Sequence, residues 1–221
     1  MEINKYIDHT LLKATATNNE IIALCNEAKK YNFYAVCVNG CFVEFAKQQL
    51  KNTDVKIAAV IGFPLGAIST KAKVFEASNC IENGANEIDM VLNIGKLLEV
   101  NYEYVEKEIK LIKEAIGRNL LKVILETCYL SKEQIEIACR LAVNAGADFV
   151  KTSTGFGTNG ATFKDVEIMK NAVNGKAQIK ASGGIKDVQT ANKYIEMGVT
   201  RLGTSAGVLL VTKGISDKNQ Y

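Results

Sequence analysis

This chain predicts a (β/α)8 barrel, an α/β fold, on three observations. Strand-length apolar runs alternate with amphipathic helices from one end of the sequence to the other. Most of the strand runs are apolar throughout rather than alternating, as in a parallel sheet covered by helices. Three helix exits share one design of helix, glycine, short link and strand: Asn83-Gly84-Ala85-Asn86, Ala145-Gly146-Ala147-Asp148 and Met197-Gly198-Val199-Thr200. About eight such units fit a chain of 221 residues, near the short end of the barrel range. The runner-up, an open doubly wound sheet, is disfavoured because no GxGxxG follows the first clear strand. No linker or shift in composition divides the chain, so one domain is expected over 1–221, ending in a short polar tail from about 214.

Taken in order, Tyr6 to Thr10 reads as a short strand. Thr17-Asn18-Asn19-Glu20 is a capping box, and Ile21, Ile22, Leu24, Cys25 and Ala28 continue it as a helical stripe. Phe33 to Val38 has strand length, and Cys41 to Lys51 is amphipathic. Val55 to Ile61 is a strand that leaves through Gly62-Phe63-Pro64-Leu65-Gly66. Ser69 to Asn83 reads as helix and stops at Gly84, a residue suited to a left-handed cap. Glu87 to Leu92 is strand, Asn101 to Ile116 helix, and Leu121 to Thr127 strand. A second capping box, Ser131-Lys132-Glu133-Gln134, starts a helix that ends at Gly146. Asp148 to Ser153 is strand, Thr162 to Val173 helix, Ala177 to Ser182 strand and Asp187 to Met197 helix. Arg201 to Thr204 and Ala206 to Val211 form the last strand and the last helix.

Composition narrows the chemistry. The chain is 48% hydrophobic and 23% charged, an ordinary globular balance. A net charge of +3 argues for neither a nucleic-acid nor an anionic-membrane partner. No long apolar run suggests a membrane span, and the start lacks the apolar core of a signal peptide, so a cytoplasmic protein is expected. Six cysteines without a CxxC pair read as reduced, mostly buried thiols. With His9 the single histidine, a His cluster around a metal is ruled out. Electrophilic activation is then left to amines of the chain or to a cofactor.

Three predicted strands carry an ionisable residue where a hydrophobe is expected: Lys151, Lys180 and Asp89. In a barrel, side chains near the C-terminal strand ends converge on one site. Lys151 and Lys180 lie on consecutive strands, so their ammonium groups approach each other. Mutual repulsion and partial burial then lower the pKa of one of them. A neutral amine attacks carbonyls and forms a Schiff base, and a neighbouring carboxylate and ammonium can shuttle its protons. A structural Lys–Asp pair would explain one such residue, whereas three on one barrel point to catalysis. Gly183-Gly184 and Gly203-Thr204-Ser205-Ala206-Gly207 follow or close the last two strands, where barrels bind phosphate on backbone N–H groups. Thr154-Gly155 offers a further donor edge.

These segments, together with Ile7-Asp8-His9-Thr10-Leu11-Leu12-Lys13 and Val60-Ile61-Gly62-Phe63-Pro64-Leu65-Gly66, resemble the deoxyribose-phosphate aldolase family from residue 7 to residue 207. The resemblance implies a class I aldolase on a (β/α)8 barrel, needing no metal or other cofactor. Its substrate would be 2-deoxy-D-ribose 5-phosphate, cleaved reversibly to D-glyceraldehyde 3-phosphate and acetaldehyde. By motif, Lys151 is the Schiff-base lysine, Lys180 perturbs it and aids proton transfer, and Asp89 works with Lys180. Gly183, Gly184, Gly203, Thr204 and Ser205 match the phosphate-binding part, and Asp8 and Thr10 match polar positions near the pocket. A homo-oligomer, dimer or tetramer, is implied as well. The chain departs from the family pattern at Ala14 and Gly40, where Pro is common. It departs again at Phe156, where some members have Lys, which leaves more of the phosphate binding to backbone N–H groups. Another Schiff-base sugar-phosphate aldolase, a transaldolase and a non-catalytic sugar-phosphate-binding barrel are the competing readings. The tail ending in Tyr221 is a candidate cover for the site.

Overall fold

A computed structural model describes residues 2–216. Eight parallel strands close into one barrel in sequence order: β1 (Ile7–Leu11), β2 (Ala35–Asn39), β3 (Lys56–Ile61), β4 (Glu87–Val91), β5 (Leu120–Ile124), β6 (Phe149–Lys151), β7 (Gln178–Ser182) and β8 (Arg201–Thr204). Around them run α1 (Asn18–Tyr31), α2 (Val43–Gln49), α3 (Thr70–Glu82), α4 (Ile94–Leu98), α5 (Tyr102–Ala115), α6 (Lys132–Asn144), α7 (Phe163–Val173), α8 (Val188–Glu196) and α9 (Gly207–Ser216). No helix among the described residues is long and apolar enough to cross a membrane.

Local chemistry sets the helix ends where the sequence places them. Both capping boxes form, Thr17 with Glu20 and Ser131 with Gln134. Thr162 and Asp187 cap α7 and α8 by accepting the N–H of Asp165 and Thr190. At the exits Gly84, Gly146 and Gly198 take φ of 111°, 83° and 99°, where a side chain would be strained. Ser131→Ala should lower stability by about 1 kcal/mol, read as a shift in the urea midpoint with unchanged slope.

The structure corrects several expected boundaries. β6 stops at Lys151 instead of Ser153, because the Thr152 hydroxyl replaces a ladder partner: it donates to Ser182 O at 3.1 Å and accepts Ser182 N–H at 3.0 Å. β5 stops at Ile124, before Glu126 turns left-handed at φ 55°. The five-residue α4, capped by Asn93, is too short to show a helical period and was not anticipated. α9 runs on to Ser216, well past Val211 and into the expected tail; the rest of that tail, with Tyr221, lies outside the described residues.

Strand side chains divide into two sets by the period-2 rule. One set, including Ile7, Val36, Ile57, Ile88, Leu121, Val150, Ile179 and Leu202, packs against the helices in the main core. The other set fills the barrel and is itself divided. Leu12, Cys37, Ala58 and Val60, with Phe63 against them, form a small separate apolar cluster. On the remaining strands the inner positions include the charged Asp8, Glu87, Asp89, Lys122, Lys151, Lys180 and Arg201, all buried.

Candidate active site

Register brings these charges together. Lys151 is paired with Lys180 across β6 and β7, Lys180 with Arg201 across β7 and β8, and Asp89 with Lys122 across β4 and β5. At the centre Asp89 Oδ2 accepts from Lys151 Nζ at 2.9 Å and from Lys180 Nζ at 2.8 Å, while Lys122 Nζ donates to Oδ1 at 2.6 Å. Lys180 also donates to Asp8. Beneath, Arg201 Nη1 bonds Asp8 Oδ1 and Glu87 Oε2, both at 2.8 Å, and Lys122 pairs with Glu87 at 2.6 Å. The Tyr34 ring lies 3.5 Å from the Arg201 guanidinium carbon and closes the arrangement from below.

Burial by itself would raise the Asp89 pKa, but the ammonium groups of Lys122, Lys151 and Lys180 outweigh it and hold the carboxyl well below the ordinary range. At Asp8 burial is likewise overcome, by Lys180, Arg201 and Lys122, and the carboxyl falls to about 2. Lys180, expected to stand as the cation beside Lys151, shifts upward. Burial disfavours its charge, yet Asp8 and Asp89 together raise its pKa above the usual lysine value. Asp8, which the resemblance put near the pocket, is the larger of these two contributions.

Four cations, Lys122, Lys151, Lys180 and Arg201, share three carboxylates, Asp8, Glu87 and Asp89. Lys180 and Arg201 each engage two carboxylates, and Lys122 engages three. Lys151 has one, shared, and it alone of the four lies on the wall of a cavity of about 380 Å³ at the C-terminal strand ends. It is therefore the cation held least firmly and the amine a small carbonyl can reach.

Thr10 and Leu12 line this cavity on the β1 side, and Ser182, Gly183, Gly184, Gly203, Thr204 and Ser205 line it on the β7–β8 side. Gly183 and Gly184 take φ of 85° and 80°, consecutive left-handed residues that turn backbone toward the cavity. Ser205 precedes the start of α9, so a helix N-terminus lies at this wall. Lys186, not anticipated from the sequence, adds a cation to it. Gly203 makes room for the lysine beside it: a Cβ there would stand 2.9 Å from Ser182 Cβ and 3.1 Å from Lys180 Cε. Gly203→Ala should displace Lys180, costing roughly 1–3 kcal/mol of stability and up to about 10²-fold in turnover, measurable by denaturant titration and steady-state rates.

Three expected positions differ in what they offer. Asp8 lies fully buried below the cavity and binds Lys180 and Arg201, while Thr10 is on the wall and donates to the Asp8 carbonyl. Thr154 is on the wall, but its N–H and hydroxyl both donate to Glu126 and its Oγ1 accepts Phe156 N–H, so its polar atoms face the chain. Lys122, Glu87 and Arg201 were missed. The signal that picked out Lys151 also marks Lys122, a charge inside the apolar run Leu121-Lys122-Val123-Ile124.

Residues 3–210 match the family described as DeoC/LacD family aldolase. The deoxyribose-phosphate aldolase of Carboxydothermus hydrogenoformans is 56% identical over 222 residues, covering 99% of this chain and 97% of that protein. That of Finegoldia magna is 54% identical over 211 residues, covering 96% and 99%. Among solved structures, a tetrameric deoxyribose phosphate aldolase from Aeropyrum pernix superposes with a TM-score of 0.87 at 30% identity, covering 99% of this chain and 92% of that one.

Proposed function

The chain belongs to the DeoC/LacD aldolase family, and from that membership and its buried lysine–carboxylate cluster we propose that it is a class I deoxyribose-phosphate aldolase with Lys151 as its Schiff-base residue. It is a carbon–carbon lyase that cleaves 2-deoxy-D-ribose 5-phosphate reversibly to D-glyceraldehyde 3-phosphate and acetaldehyde. The observation that carries the assignment of Lys151 is the contrast among the lysines. Lys151 and Lys180 donate to one oxygen of Asp89, yet Lys151 faces the cavity and Lys180 is wholly buried.

The Lys151 amine adds to the aldehyde carbon of the open-chain sugar, water leaves, and a protonated imine forms. The C3 hydroxyl then loses its proton and the C2–C3 bond breaks. C3 becomes the aldehyde of glyceraldehyde 3-phosphate, and the bonding pair passes to C2, giving an enamine on Lys151. Protonation at C2 and hydrolysis release acetaldehyde and restore the amine. Asp89, hydrogen-bonded to both ammonium groups, relays these protons, and Lys180 keeps a positive charge beside the nitrogen. The glycine backbone at 183–184 and 203, with Thr204, Ser205 and the start of α9, receives the phosphate. Thr10 contacts the sugar end nearest β1.

Borohydride added with acetaldehyde should fix a mass increment on Lys151 in a peptide map, and an adduct on Lys180 or none at all overturns the assignment. We read the chain further as one domain, a cytoplasmic homo-oligomer, dimer or tetramer. The largely exposed Leu65, Phe75 and Val100 give it apolar surface for such contacts, and light scattering reads the state directly.

A further inference from the structure

We infer that Glu126 is a positioning residue that sets the rim of the cavity for the three-carbon half of the substrate, through Thr154 and Phe156. The inference rests on the aldolase reading of that cavity. Glu126 follows β5 and is 2% exposed. It is a non-glycine residue held left-handed at φ 55°, a conformation that persists where surrounding contacts over-determine it and that clusters at functional sites. Its carboxylate takes both hydrogen-bond donors of a residue on the cavity wall: Thr154 N–H at 3.1 Å and the Thr154 hydroxyl. The Thr154 oxygen in turn accepts Phe156 N–H at 3.0 Å. Phe156, on the cavity rim and 54% exposed, meets Phe63 edge-to-face with ring centroids 5.3 Å apart. One buried carboxylate thus ties the segments after β5 and β6 together, and through the aromatic pair reaches the segment after β3.

Gly157 shows how closely the carboxylate is seated. A Cβ there would lie 3.1 Å from Glu126 Cδ, 3.2 Å from Oε1 and 2.8 Å from Cys128 Sγ. The turn therefore approaches Glu126 with bare backbone. Lys151 holds the two-carbon end and the glycine wall holds the phosphate, so the carbons between them pass the Thr154–Phe156 rim. Loosening the rim should weaken grip on the whole sugar phosphate while sparing imine formation with the two-carbon aldehyde.

The test uses the full chain as wild type, Glu126→Ala, Glu126→Gln and Gly157→Ala, with kcat and KM for deoxyribose 5-phosphate and borohydride trapping of acetaldehyde on Lys151. Glu126→Ala and Gly157→Ala should raise KM about 10-fold or more with kcat changed less than about threefold, and trapping should match wild type. Glu126→Gln should fall between, because its amide oxygen still accepts Thr154 N–H while its NH2 cannot accept the hydroxyl. Unchanged KM in both Glu126→Ala and Gly157→Ala overturns the inference. So does a loss of kcat and trapping that tracks a falling melting temperature, the mark of a purely structural residue. Gly157→Ala keeps the question open to measurement if Glu126→Ala does not fold. Failure of trapping in the wild type would instead sink the aldolase reading itself.

Discussion

Lys151→Ala should abolish turnover of deoxyribose 5-phosphate, on the order of 10⁴-fold or more, while leaving the protein folded. No other amine of the cluster can take over. Lys122 and Lys180 are fully buried, and each is hydrogen-bonded or ion-paired to at least two carboxylates. The fold should survive because of the charge count. With Lys151 gone, Lys122, Lys180 and Arg201 remain against Asp8, Glu87 and Asp89, so no buried carboxylate is left without a cation. The loss of stability should be about 1 kcal/mol, the ordinary size for a single substitution. A coupled assay beside a thermal melt checks both halves. Measurable turnover in the alanine variant, with borohydride trapping moved to another residue, would refute the role given to Lys151.

Asp89→Asn should do the opposite and damage fold and chemistry together. It leaves four cations on two carboxylates in a buried site. Removing one partner of a buried ion pair costs about 3–5 kcal/mol. Loss of the proton relay should lower kcat by a further 10²- to 10⁴-fold or thereabouts. The pH dependence follows from the same carboxylates. In the unfolded chain an aspartate takes its proton near its ordinary value of 3.8, whereas in the folded state Asp8 holds out to about 2 and Asp89 also lies well below the usual range. The unfolded state therefore binds more protons below about pH 4, and stability present above that pH is lost as pH falls through the folded values. Denaturant titrations of the wild type from pH 5 to about 2 should show this loss, and Asp89→Asn should show a shallower one. Equal slopes would mean that Asp89 is not held as a carboxylate by its neighbours.

Much of the site was legible because strand side chains alternate. A charge inside an apolar run must face the barrel interior or be buried at great cost, and that reasoning found Lys151, Lys180 and Asp89. The same rule does not separate catalytic from structural charge. Lys73 is as buried as Lys180, yet it lies on α3, away from the barrel interior, and pairs with Glu108 at 2.7 Å. Arg201 opens its strand and Glu87 opens β4, so neither interrupts an apolar run that would draw notice. Short devices such as α4 and the left-handed Glu126 leave no periodic trace.

The amino-acid order by itself determined the alternation of strands and helices, the helix caps, and the facing of Lys151, Lys180 and Asp89 into one interior, since each follows from spacing and local hydrogen bonding. Closure of the barrel decided the rest. It brought Asp8 against Lys180 across 172 positions of chain, raised the affinity of Lys180 for its proton, and left Lys151 as the amine at the cavity wall. Distances between charges and their access to a carbonyl depend on which strands become neighbours when the sheet meets itself, and no local stretch of sequence encodes that meeting.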